Sequence, residues 1–273
     1  MGTANSTGLR PPATLRHTTL GRTRALMQAR PLLVFAVLAC ALSWWTVPFT
    51  GFPLGSGVTV AAVVMLAIVE GRSGVVDLFR RVVQWKVGWK WFAAALGVPI
   101  IATGISGLLA VAFGAAVPDA TALATWGEIP VTILFLLVVP VFGPWEEPGF
   151  RGWALSTAGR RWSLWRAGLL VGVIQLLWHL PLFLTGDILS TDVILILAAS
   201  FVFAWLVDGT GGSVLVAMVM HATNNAVSGE YASTLFTGQD AELLGWIRAG
   251  VWCLIALAIV VLSRRRREAV SRS

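Results

Sequence analysis

The chain has 273 residues, of which 57% are hydrophobic and only 12% charged, with a formal net charge of +7 and a mean hydropathy of +0.80. A soluble domain carries about 25% charged residues, so this composition excludes a water-soluble globular protein and points to a polytopic membrane protein. The basic residues are dispersed over short pieces that flank apolar runs, which speaks against a nucleic-acid-binding face.

Residues 1–29 are polar, rich in Thr and Arg and interrupted by Pro11 and Pro12. They read as a disordered cytoplasmic tail, without the apolar core and small-residue cleavage site of a signal peptide. Met1 to Ser6 fits the loose N-myristoylation pattern, but a chain anchored by many spans gains little from one weak acyl anchor. Eight apolar segments follow, at roughly 31–49, 54–70, 91–116, 129–146, 165–184, 192–207, 212–228 and 247–263. The predicted fold is therefore all-α: a bundle of about eight transmembrane helices across residues 30–263, closed by a basic tail at 264–273. The third segment is long enough to tilt or to break at Pro99. The sixth and seventh lie at or under the low end of the roughly 17–25 residues that a span needs, so tilting, partial re-entry or shielding by neighbours is expected.

Orientation follows from the basic residues. With the N-terminus inside and all eight segments crossing, every one of the 20 Lys and Arg residues except Arg248 falls on the cytoplasmic side. Both termini are therefore placed in the cytoplasm, by the rule that basic residues mark cytoplasmic loops. The Arg264 to Arg267 run reads as an anchor against anionic lipid. Cys40 and Cys253 each sit inside an apolar segment, and no Cys-x-x-Cys spacing points to a metal or redox centre.

Chemistry concentrates in three places. Glu146 and Glu147 stand at the end of the fourth segment, with Arg151 four residues on. Burying a carboxylate in a membrane costs on the order of 2.5–3.5 kcal/mol by insertion scales, so such groups are candidates for function. Pro148 lacks an amide hydrogen and predicts a kink or a helix restart at Glu146–Glu147, with Glu147 near a helix N-cap. A continuous helix would instead pair Glu147 with Arg151 at i, i+4. His179 lies in the fifth segment, and His221 and Asn225 lie in the seventh at i, i+4, projecting from one helical face. Asn224 is expected to point about 100° away from that face. Imidazole with carboxylate is the equipment of acid–base catalysis or metal binding near neutral pH. An ion pair capping a span accounts for Glu147 and Arg151, whereas Glu146 is left over. His179 raises a difficulty of depth, since it lies about 21 Å from the start of its segment at helical rise while Glu146 ends the segment before. Either the segment boundaries shift or, as expected here, the fifth helix starts with an interfacial turn through Trp162–Arg166.

The order Glu146-Glu147-x-x-x-Arg151, then His179, then His221-x-x-x-Asn225 on successive membrane segments resembles the CPBP family of intramembrane proteases. That family includes type II CAAX prenyl endopeptidases and the Abi-like and lysostaphin-resistance-like proteins associated with bacteriocin immunity. The likeness covers about residues 129–228. Two departures stand out: Gln175 where the second motif often has Phe, and Pro148-Gly149 inside the first. The resemblance implies an endopeptidase of the bacterial cell membrane, with membrane lipids and a peptide or membrane-protein substrate as partners, the substrate open to carrying a lipidated C-terminus. It implies Glu146 and His179 as the groups activating water, His221 and Asn225 as oxyanion or water ligands, and Glu147 with Arg151 as their support. Zinc held by Glu146, His179 and His221 stays open beside a metal-free site. The rival reading is a membrane protein without catalysis, either an immunity-type binder or a proton-coupled transporter that uses the same buried groups as a relay.

Overall fold

The computed structural model describes residues 19–119 and 124–271; the acylation pattern at Met1 to Ser6 lies outside them. Among the described residues every regular element is a helix. The principal ones are α1 (Thr19–Ala29), α2 (Pro31–Trp44), α3 (Gly55–Val69), α4 (Arg72–Val82), α5 (Trp89–Ala112), α6 (Ile129–Val138), α7 (Leu155–Gly159), α8 (Leu164–Trp178), α9 (Asp192–Gly209), α10 (Val214–Asn224) and α11 (Gly238–Ser271).

All eight apolar segments fold as helix, but their lengths differ from a uniform set of spans. Among the described residues five helical stretches are long and apolar enough to cross a membrane: Pro31–Thr50, Trp89–Ala112, Trp126–Glu146, Asp192–Gly209 and Gly238–Arg265, the third of them interrupted after Val138. Gly55–Val69 and Leu164–Trp178 are shorter apolar helices. α10 is shorter still, is mostly buried, and packs against α5, α6 and α9. A buried short helix needs no full bilayer span, because its ends are covered by protein.

Three boundaries correct the sequence expectation. Thr19–Ala29 is helical, so the part of the N-terminal tail that is described is not irregular. At the other end α11 runs on through Arg264–Arg267 to Ser271, making the basic tail a helical extension of the last span. Pro99 does not break the third segment, since α5 continues through it with Pro99 buried. Neighbouring helices and slight local adjustment tolerate proline in membrane helices.

α4 is an amphipathic segment beside the bundle, with Gly74, Leu78 and Val82 buried and Arg72, Arg80 and Phe79 outward. Its Arg81 reaches inward instead, donating to the carbonyls of Gly152 at 2.7 Å and Gly212 at 2.8 Å. That side chain ties the acidic segment to the turn before α10. Ser213 completes the turn, donating to the Gln84 carbonyl at 2.7 Å and accepting from the Val216 amide as the N-cap of α10.

Candidate active site

The fourth apolar segment is two structures, not one. α6 ends at Val138, the chain extends at Val139, and a second helical stretch begins with a 3₁₀ turn at Gly143–Glu146. The return is held by three hydrogen bonds. Trp145 Nε1 donates to the Leu137 carbonyl at 3.0 Å, the Gly55 amide donates to Val141 at 3.0 Å, and the Thr59 hydroxyl donates to the Trp145 carbonyl. From Glu147 the chain runs on as a π-helix, Pro148–Ala154, and then as α7. Pro148 thus takes a first helical position, as expected, where its missing N–H costs nothing. Glu147 nevertheless keeps helical dihedrals (φ −63°, ψ −36°), so no sharp kink forms.

This architecture removes the difficulty of depth. Gly143–Gly159 and α8 form a helical hairpin around Arg160–Ser163, with Glu146 near the start of one arm and His179 at the end of the other. The two residues stand at similar distances from the turn and so come to the same level. The segment boundary, and not an interfacial turn before α8, was the source of the mismatch. His179 itself sits at a break between α8 and the short helix Leu180–Thr185, because Pro181 has no amide hydrogen to continue the ladder.

Glu146, Glu147 and Arg151 are all buried, Glu147 completely. Glu147 Oε1 accepts from Arg151 Nη1 at 3.2 Å and from His221 Nδ1 at 2.7 Å. The face of Phe203 covers the Arg151 guanidinium at 4.3 Å, and its ring lies 6.1 Å from that of His221. Glu147 therefore satisfies both readings of the acidic motif: the i, i+4 pair with Arg151 exists, and the same oxygen orients a histidine from α10. Glu146 is different. Among the described residues it makes no ion pair, and its Oε2 is approached by Gln175 Nε2 at 3.5 Å.

Gln175 is a residue that the sequence reading treated only as a departure from the family motif. It is buried, it lies one helical turn before His179, and its backbone carbonyl stands 2.8 Å from His179 Nδ1. A carbonyl can only accept, so Nδ1 carries the proton and Nε2 keeps a free lone pair. Gln175 thus links the two groups: its side chain touches Glu146 and its main chain sets the tautomer of His179. No sequence signal marked it, since glutamine in an apolar helix is as often a local packing choice.

His179, His221, Asn225 and Gln175 line one cavity of about 190 Å³, together with Asn224, Ser228 and the ion pair of Arg248 with Asp192 (2.6 Å). Glu146 is not among the residues lining it and adjoins Gln175, which is. Asn224, expected on another face, joins the wall. It follows His221 by three residues within α10, about 60° round the helix, and a second π-helix, Asn225–Tyr231, begins just beyond it; Ser228 of that turn donates to Asn224 Oδ1 at 3.3 Å. Both acid and histidine motifs therefore pass into π-helical turns, a geometry often found at functional sites.

Two glycines allow the close approaches. A Cβ on Gly149 would lie 2.5 Å from the Val58 carbonyl of α3, which explains the Pro-Gly departure as the contact that seats the acidic segment. A Cβ on Gly143 would lie 2.7 Å from His221 Nε2 and 2.8 Å from Asn225 Nδ2. Both nitrogens thus converge on one point over a bare backbone. Gly143→Ala is expected to displace His221 and Asn225 and to lower activity by about 100-fold, the scale of a 1 Å misplacement, with little loss of thermal stability. Wild-type turnover in that variant would show that the convergence is incidental.

Among the described residues no group of three His, Cys, Asp or Glu side chains is placed to hold an ion, the set Glu146, His179 and His221 included.

Comparison with known proteins finds two similarities. Residues 125–227 match the family model described as type II CAAX prenyl endopeptidase Rce1-like. A curated protein of Methanococcus maripaludis named CAAX prenyl protease 2 is 27% identical over 147 residues, covering 50% of this chain and 51% of the relative. The chain thus spans about half the length of the curated relative that it matches. The matched stretch contains Glu146, Glu147, Arg151, His179, His221 and Asn225 in the order expected from the sequence, and it is similar to the Rce1-like type II CAAX prenyl endopeptidases.

Proposed function

We propose that the protein is an intramembrane endopeptidase in which Glu146 activates water. The observation that supports this most is the division between the two acids. Glu147 is engaged by Arg151 and His221, whereas Glu146 is a buried carboxylate met only by the neutral amide of Gln175. A carboxylate outside the ion-pair network is the one left to act on water.

In this reading Glu146 takes a proton from water as the water oxygen attacks the substrate carbonyl carbon, and His179 Nε2 accepts the water's second hydrogen bond. The carbonyl oxygen becomes an oxyanion opposite His221 Nε2 and Asn225 Nδ2, which face a shared point beside Gly143. Glu147 orients His221 through Nδ1, and in its imidazolium form Nε2 donates as well. The proton held by Glu146 then passes to the amide nitrogen as the C–N bond breaks. Arg151 holds Glu147 in place.

Basic-loop asymmetry supports an orientation with both termini in the cytoplasm. The substrate class is a peptide or membrane protein presented at the bilayer. The name of the Methanococcus relative makes a prenylated C-terminal tail the first substrate to test. Comparing C-termini of the membrane proteome in cells carrying wild type, His179→Ala or His221→Ala should reveal cleaved ends present only with wild type. Identical sets of termini, with expression confirmed, would remove the protease reading.

A further inference from the structure

A second cavity lies away from the candidate active site, at the end of the bundle where α2 begins and α3 finishes. Its volume is about 630 Å³, within the range of small-molecule sites. The floor is apolar and buried: Met27, Met65, Leu66 and Trp153 are each less than a tenth exposed. Leu33, 64% exposed, lies on the side open to lipid. The rim is basic, with Arg30, Arg160 and Arg161 against a single carboxylate, Glu70, which pairs with Arg160 at 3.3 Å. Three guanidiniums against one acid leave two positive charges in excess. The first turn of α2, Pro31–Leu33, also lines the cavity, and its N-cap Arg30 makes no side-chain capping bond.

These features describe a site with two chemistries stacked in order. Charge occurs where the spans end, at headgroup level, and an apolar chamber lies directly inside it. A free anion would use the rim alone and a neutral acyl chain only the chamber. Three loops assigned to the cytoplasmic side by their basic residues meet here, the side on which anionic lipids are enriched and basic interhelical pockets bind their headgroups.

From this we infer that the cavity is a binding site for one anionic phospholipid, its phosphate held by Arg30, Arg160 and Arg161 and an acyl chain lying on Met65, Leu66 and Trp153. The inference is independent of the protease reading.

Native mass spectrometry of the full chain in detergent, titrated with dioleoyl phosphatidylglycerol, dioleoyl phosphatidylcholine or glycerol phosphate, tests it. One phosphatidylglycerol should be retained at concentrations where the other two are not. Arg161→Gln, an exposed change expected to leave folding intact, should weaken that retention about fivefold, and Arg160→Gln/Arg161→Gln about 25-fold. Arg264→Gln/Arg265→Gln, in the basic end of α11, should leave it unchanged. Equal retention of the zwitterionic lipid, or no change with Arg161→Gln, would overturn the site. Glycerol phosphate held as firmly as the lipid would make it a soluble-anion site and refute the phospholipid assignment.

Discussion

Reconstituted Glu146→Gln protein is expected to keep its fold and lose peptide hydrolysis by about 10²–10⁴-fold, the contribution of a positioned general base. The substitution is nearly isosteric at a site 3% exposed, and a carboxamide oxygen can still accept from Gln175. Removing a buried charge that has no cationic partner should leave thermal stability unchanged or raised. Glu146→Asp withdraws the carboxylate by one methylene and should also be severely impaired, since about 1 Å of misplacement can cost 100-fold. A proton relay would behave otherwise, tolerating Asp with an altered pH dependence, and a pure binding protein would be indifferent to Gln. Hydrolysis at the wild-type rate in Glu146→Gln would end the assignment of Glu146 as base.

Glu147 should respond in the opposite way, through stability first. Glu147→Ala strips Arg151 of its carboxylate while the guanidinium stays 2% exposed among Phe150 and Phe203. Breaking a buried pair from one side costs about 3–5 kcal/mol, and thermal unfolding in detergent should show a large fall. Glu147→Leu/Arg151→Met, which removes both charges, should recover most of that stability. Activity should not return, because His221 Nδ1 still lacks the oxygen that now lies 2.7 Å away. Restored hydrolysis in the double variant would show that Glu147 serves Arg151 alone and does not orient His221.

Much of the site was legible beforehand because its signals are local. The i, i+4 spacing anticipated the Glu147–Arg151 pair, and the same spacing brought His221 and Asn225 to one cavity. The contacts set Glu147 in an ion pair with Arg151 and leave Glu146 outside it. The errors share a different character. Asn224 joined the wall because three steps of 100° bring it within about 60° of His221, a nearness that measuring it against Asn225 alone does not reveal. The depth of His179 was misjudged because a hydropathy window runs Val138 and Glu146 together, although the backbone extends and turns back between them. Gln175 and Gly143 went unmarked because neither residue type has a distinctive role until its neighbours are known.

The sequence alone determined that this is a helical membrane protein and which chemical groups it carries, in what order. Those properties follow from hydropathy, from the cost of burying charge and from spacing along a single helix. Tertiary structure decided which oxygen meets which nitrogen: Glu147 with His221, Gln175 with Glu146, and two nitrogens converging over Gly143. The reason is physical. Register between helices is set by close approaches, such as Gly149 against the Val58 carbonyl, and by π-turns that rotate the residues beyond them. Neither leaves a periodic trace in the chain.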